Sequence, residues 1–306
     1  MEKTVSHTKR AVAVLLLVLI TFFWGITFVI VKEAVDQVGV FFFLSQRFII
    51  AFFILLAICV GSRLKFEWPM LRHGLILGAL LFGGFAFQTV ALKYTTASNT
   101  AFLTGLNVVL VPIIGGMMFR QLITINMKLG VSLAAAGMFF LCTNEGLRLN
   151  QGDLLGGICA VCISLHIIYT GQYAKHHDIY WLTTVQIGTV GVLSALIAMG
   201  QGSNIIVFRQ EILWALVICV LFATIFAFLV QTSMQRMTSP THTALIFCME
   251  PVFAAIYAYV MINERLGLRG VIGALLIFSG MVISQVSFFD QIFGHTGNSS
   301  KRGQEP

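Results

Sequence analysis

The sequence predicts an all-α polytopic membrane protein: ten transmembrane helices arranged as two inverted five-helix repeats. Three observations carry that prediction. Of the 306 residues 58% are apolar and only 10% charged, and mean hydropathy is +0.92, whereas a water-soluble domain carries about 25% charged residues. The apolar residues fall in long runs, each near the roughly 20 residues that cross a ~30 Å hydrocarbon core as a helix. The chain also resembles itself at an offset of 143 residues, with 12 identities in 51 aligned positions. Gln88-Thr89 falls on Gln231-Thr232, Thr100-Ala101 on Thr243-Ala244, and Gly137-Met138 on Gly280-Met281. Self-similarity of this kind in a membrane chain points to a transporter built from two repeats.

The spans follow in order. The first, 11–31, comes after Lys3, Lys9 and Arg10 and so imitates a signal peptide; its length and the lack of an A-x-A-like site make it an uncleaved span. The second, 40–60, contains Gln46 and Arg47, and the third, 74–92, ends on Gln88-Thr89. The fourth, 97–119, carries Asn107 and Pro112. The fifth, 127–143, is the shortest, with Lys128 placed to snorkel at its start. The sixth to eighth, 154–174, 181–200 and 212–233, contain His166, Tyr169 and Gln231. The ninth, 240–261, carries His242, Glu250 and Pro251, and the tenth, 270–287, repeats two glycines of the fifth. Two repeats are expected, at 11–143 and 153–287, followed by a polar tail at 288–306.

With the N-terminus in the cytoplasm, 12 Lys and Arg fall inside and 6 outside, leaving Arg47 within a span. The positive-inside bias therefore places both termini in the cytoplasm, and the absence of a clear organelle address fits a cell inner membrane. Five spans per repeat is an odd number, so the second repeat enters the bilayer inverted. Such folds hold substrate near the midplane, between the repeats.

A carboxylate in hydrocarbon is costly, so acidic residues mark function most sharply. Of the twelve, eleven fall in loops, tails or span ends; Glu250 alone lies near mid-span, where ionisable side chains mark a substrate or proton path. Its counterpart at the 143 offset is Asn107. Pro251 and Pro112 each remove a backbone donor and are expected to kink their spans. Arg47 is the one basic residue well inside a span; it could bind an anionic solute group, but pairing with Asp36 or Glu33 is the favoured reading. Gln88 and Gln231 are either polar glue between helices or lining. His166 and His242 are candidates for proton exchange or satisfied helix contacts. Trp24, Thr27 and Tyr169 could line a cavity. Gly130 and Gly137, recurring as Gly273 and Gly280, read as close helix packing. The six cysteines all lie in apolar runs, and the Cys159–Cys162 pair has no second pair to complete a metal site.

The net charge of +7 is dispersed, without a basic block, which argues against nucleic acid as a partner. No Walker A, HExxH or GxSxG sequence occurs, so ATP-driven transport and enzymatic chemistry are not expected, and no cofactor is implied.

Several segments resemble the EamA repeats of the drug/metabolite transporter superfamily. They are Phe23-Trp24-Gly25 with Lys32, Ala91-Leu92-Lys93-Tyr94-Thr95-Thr96-Ala97, Met249-Glu250-Pro251-Val252-Phe253-Ala254-Ala255, and Asn263-Glu264-Arg265-Leu266. The resemblance covers residues 11–287. One departure is Arg120-Gln121-Leu122, where the family commonly has a glutamate like Glu264. The resemblance implies a ten-helix carrier with a central cavity lined by spans one to four and six to nine, and spans five and ten at the periphery. The expected function is secondary active transport, outward, of small organic metabolites such as amino acids or of drugs, by alternating access. Proton coupling through Glu250 is one reading of that residue. The alternatives are a carrier of nucleotide sugars or phosphorylated solutes, and a lipid flippase. The expected partners are a small-molecule solute and the lipid bilayer; oligomeric state is open.

Overall fold

A computed structural model describes residues 7–94, 100, 103–119, 123–142, 151–203, 210–262 and 267–293, and these are helical without strands. The segments Thr95–Ala97, Arg120–Leu122 and Asn263–Leu266, and the tail beyond residue 293, lie outside the described residues.

Helix α1 (His7–Val38) reverses into α2 (Val40–Gly61) through Gly39 alone. Gly39 sits at φ 85°, a conformation that other residues resist. Helix α3 (Trp68–Ala91) opens with proline in its first turn, where no backbone donor is lost. After a turn at Leu106 come α4 (Asn107–Phe119) and α5 (Ile125–Cys142). The second half begins with α6 (Gln151–Tyr173) and α7 (Ile179–Gly200), the latter N-capped by Asp178, which accepts from the Trp181 amide at 3.0 Å. Next come α8 (Leu213–Val220), a π-helical stretch (Leu221–Phe226) and α9 (Ala227–Met234), forming one continuous rod. Helices α10 (Pro240–Phe247) and α11 (Met249–Ile262) are separated by a turn at Cys248, and α12 (Leu268–Phe293) closes the described chain.

Six helices are long and apolar enough to cross a membrane, counting the rod Leu213–Met234 as one. Three shorter apolar helices, Leu103–Met118, Ile125–Phe140 and Leu268–Ile283, lie among the described residues. The ninth expected span is two helices rather than one. Pro251 explains part of this break: without an N–H it cannot bond the Phe247 carbonyl, where α10 stops. Helix α4 runs through Pro112, and a turn interrupts that span earlier, at Leu106.

The packing pattern is nearly unchanged when the two halves are exchanged. Helix α2 lies on α7, and α5 on α12. Helix α1 packs on α11 as α6 packs on α4, and α3 on α6 as α9 on α1. The α5–α12 crossing is closest where both backbones lack side chains. A Cβ on Gly137 would lie 2.6 Å from the Gly273 carbonyl oxygen, and one on Gly280 the same distance from that of Gly130. Gly137→Leu is therefore expected to drive these helices apart at a cost of about 1–3 kcal/mol. The check is a lowered melting temperature in detergent, with Gly157→Leu, where a Cβ meets nothing within 4 Å, as the tolerated control.

Two apolar clusters mark the ends of the bundle. At one end Val31, Val35, Val40, Phe43, Ile212 and Leu216 pack together. At the other, Met70, Leu77, Ala174 and Leu182 pack with Tyr173 and Trp181.

Candidate functional site

A cavity lies between the halves, with about 790 Å³ free of protein atoms, counting the part open at its mouth. Each helix contributes one face. From α1 come Trp24, Thr27, Phe28 and Val31, and from α3 come Leu81, Phe85, Gln88 and Thr89, both at helical spacing. Thr104 and Asn107 flank the break at Leu106, and Phe247 and Glu250 flank the break at Cys248. Ile163, His166 and Ile167 of α6 and Phe228 and Gln231 of α9 complete the second half's share, and Arg47 enters from α2. The lining extends to Val31 and Leu92 at the end where α1 meets α2. No lining residue precedes Trp24 on α1 or Leu81 on α3.

The 143 offset reappears in this wall. Phe85 matches Phe228, Gln88 matches Gln231, Thr104 matches Phe247, and Asn107 matches Glu250. The matched positions are thus contributed by both halves to one space, and the charge at Glu250 has only an amide opposite it in the repeat.

Arg47 is buried and held by α8–α9's π-helical insert. Its Nε donates to Thr224 Oγ1 at 2.7 Å, and its Nη2 to the Ala223 carbonyl at 3.1 Å. That carbonyl also accepts from Trp24 Nε1 at 3.0 Å. The π turn changes the i→i−4 pattern and presents a backbone oxygen to side-chain donors. The rings of Phe48 and Phe85 lie about 5 Å from the guanidinium. This overturns the expected pairing with Asp36 or Glu33, both of which are exposed. The sequence search considered only carboxylates, and the acceptors are a hydroxyl and a main-chain oxygen.

Among the described residues neither Arg47 nor Glu250 is in an ion pair. Arg47 is also the one Lys or Arg among the described lining residues. Glu250 lies near Cys159, whose Sγ is 3.7 Å from Thr104 Oγ1. Gln88 Nε2 donates to that same hydroxyl at 3.4 Å. Two buried acceptors of residues on this wall have no hydrogen-bond partner among the described residues, Asn107 Oδ1 and Gln231 Oε1. Buried polar atoms are rarely left so, and both belong to residues that line the cavity.

His166 lines the cavity and is also anchored. Its Nε2 lies 2.8 Å from Gln186 Oε1, and a carbonyl oxygen can only accept, so Nε2 carries the proton. Gln186 Nε2 in turn donates to Thr232 Oγ1 at 3.4 Å. His242 is not among the lining residues. It sits in the first turn of α10, where its Nδ1 lies 2.8 Å from Ser239 Oγ. Tyr169 also stands apart, stacked on Tyr173 at 5.5 Å. Sequence reasoning did not single out Phe28, Thr104, Phe228 and Phe247 for the lining, although Phe28 stands one turn from Trp24. Trp24 packs against Phe247 and Phe228 with ring centroids 5.0 and 5.6 Å away.

Known proteins share both the sequence and the fold. Residues 11–143 and 150–285 match the EamA-like transporter family. An uncharacterized transporter of Archaeoglobus fulgidus is 33% identical over 275 residues, covering 90% of this chain and 86% of that protein. The uncharacterized transporter YoaV of Bacillus subtilis is 21% identical over 279 residues, covering 88% and 95%. A crystal structure of a protein 19% identical superposes with a TM-score of 0.74 over 90% of this chain and 97% of its own, a likeness of fold. This is a membrane transporter, and the chain belongs to the EamA-like transporter family.

Proposed function

We propose that the protein is a secondary active carrier that exports small organic solutes across the cytoplasmic membrane. Alternating access would operate between two inverted repeats, 11–143 and 153–287, with both termini in the cytoplasm. The observation that carries this reading is one cavity with Arg47 and Glu250 on its wall, neither ion-paired among the described residues. Charges kept in a membrane interior without mutual pairing await a solute that supplies the missing partners. A solute with both an anionic and a cationic group, such as an amino acid, meets Arg47 with the first. Its second group meets Glu250, with the amides of Asn107 and Gln231 on the same wall. The aromatic wall of Trp24, Phe85, Phe228 and Phe247 accepts an apolar body.

Phosphorylated solutes and lipid headgroups fit less well. Phosphates carry more negative charge than one described arginine balances. Proteoliposomes preloaded with amino acids provide the test. Exchange of labelled amino acid at a rate above that of protein-free vesicles supports the carrier. Headgroup scrambling without solute exchange would assign the protein to the flippases instead. An imposed pH gradient that drives net amino acid movement would add proton coupling.

A further inference from the structure

The rod of α8, the π-helical stretch and α9 is the second-half counterpart of α3, yet no single offset relates the two along their length. After the π stretch the offset is 143. Gly84 matches Ala227 and Thr89 matches Thr232, all four buried, and Phe85 matches Phe228, both lining the cavity. Before the stretch the same offset sets buried Met70, Gly74 and Gly78 against exposed Leu213, Val217 and Leu221. An offset of 142 instead sets Met70, Gly74, Leu77 and Gly78 against Ile212, Leu216, Cys219 and Val220, and every one of these is buried. It also aligns Leu71 with Leu213 and Ile76 with Ile218. The rod therefore holds one residue more than α3, and a π turn is how a helix absorbs an extra residue.

The extra residue leaves a carbonyl over. At the C-terminal boundary of the π stretch the backbone amides bond the carbonyls of Phe222 and Thr224 and pass over that of Ala223. Ala223 is fully buried, and buried carbonyls are seldom left unpaired. Its oxygen accepts from Trp24 Nε1 and Arg47 Nη2, while Thr224 Oγ1 accepts from Arg47 Nε. These bonds use two of the five guanidinium N–H groups and leave three. The first half has no equivalent. Helix α3 is α-helical throughout, and the residues 143 positions after Trp24 and Arg47 are Ile167 and Val190, whose side chains have nothing to donate. The spare carbonyl and its two donors thus occur together, on one side of the internal symmetry.

We propose that this one-residue insertion is the specificity-determining element of the cavity: it fixes the Arg47 guanidinium beside Trp24 as the seat for the anionic group of a solute. The fold itself does not need it, because α3 satisfies the same buried pattern as an uninterrupted α-helix. In an uninterrupted rod the Ala223 carbonyl would receive the amide four residues on, and the guanidinium would lose its fixed place while keeping its charge. The anion selectivity rests on the carrier reading above; the insertion and the seat do not.

Shortening the rod tests this in the full-length protein in proteoliposomes. Deleting Leu221, an exposed residue of the stretch, returns the rod to the register of α3; deleting Phe222, also exposed, does the same with a different side chain lost. A labelled amino acid and its methyl ester are compared, since the ester keeps the ammonium and the body and lacks the anion. In both variants the half-saturating concentration of the amino acid is expected to rise about tenfold, the loss of a hydrogen-bonded charge contact. The maximal exchange rate and the response to the ester stay as in the parent. In an Arg47→Gln background the deletion adds nothing to this rise, because the insertion acts through Arg47. Equal losses for amino acid and ester, a parent-like response to the amino acid, a further rise in the Arg47→Gln background, or failure of both deletions to insert overturns the proposal. A parent protein that exchanges no amino acid yet melts later in its presence, with that shift lost on deletion, would overturn the carrier reading and leave the seat standing. A parent with neither response overturns both.

Discussion

Glu250→Gln is expected to reduce solute exchange by roughly thirtyfold or more while the protein still inserts and keeps its melting temperature. Glutamine preserves the shape of the side chain and its place beside the Cys248 break. It removes the negative charge that would meet a cationic group. Removing one member of a desolvated charge pair costs about 2–5 kcal/mol, and 1.4 kcal/mol is a factor of ten. The structural cost is small because Glu250 holds no salt bridge among the described residues, so no ion partner among them is left unpaired by its loss. Exchange in proteoliposomes and thermal unfolding in detergent, on the same preparation, separate function from folding. If Glu250 is also the coupling group, residual exchange loses its dependence on a pH gradient. Normal exchange with a normal pH response in this variant would remove Glu250 from both roles. Asn107→Asp is the complementary change: it places a second carboxylate at the repeat-equivalent position, and weakened exchange of zwitterions is expected because the cavity then carries one surplus negative charge.

How far the site could be read from residues alone depended on what kind of signal each one emitted. Glu250 was legible because charge in a span is rare and depth follows from counting. Gln88 and Gln231 were legible through the duplication, and both line the cavity. The asymmetry between Asn107 and Glu250 was legible for the same reason, since the offset names the counterpart of every residue. Arg47 was legible in position but not in contact. Its partners depend on a π turn at Leu221–Phe226, an apolar stretch whose composition does not distinguish it from the α-helix on either side. The break at Cys248 could be anticipated from Pro251, whereas the break at Leu106 has no proline behind it and α4 runs unbroken through Pro112. His242 reads from sequence as a proton-exchange candidate or a helix contact; Ser239-Pro240 starts a helix there, and its Nδ1 meets Ser239 Oγ. The His73–His177 contact joins residues 104 positions apart in opposite halves, beyond the reach of local pattern and outside the 143-residue echo.

Arg47→Lys is the second change with a large expected effect, and it separates two jobs done by one side chain. The guanidinium is a planar fork whose Nε and Nη2 reach Thr224 Oγ1 and the Ala223 carbonyl together. An ammonium keeps the charge but makes no such fork, and it is more strongly hydrated. Loss of a hydrogen bond to a charged group costs about 1.5–3 kcal/mol, so exchange is expected to fall about ten- to one-hundredfold. Some of that loss belongs to the fold. Ala223 O would retain only Trp24 Nε1 as a side-chain donor, and the link between α2 and the π insert would weaken. Thr224→Val tells the two contributions apart. It removes the hydroxyl acceptor while leaving the arginine charge and the carbonyl contact in place. If Arg47 serves mainly to brace the helices, Thr224→Val and Arg47→Lys lower the melting temperature together and exchange falls in proportion. If Arg47 receives the anionic group of the solute, Thr224→Val costs stability with little loss of exchange, because the guanidinium charge stays among the lining residues. Arg47→Lys then raises the half-saturating solute concentration, and esterified solutes lacking the anion no longer distinguish the variant from the parent. The second pattern is the expected one, since a buried cation in a membrane protein with no carboxylate beside it among the described residues is stabilised most by an anion that arrives with the cargo.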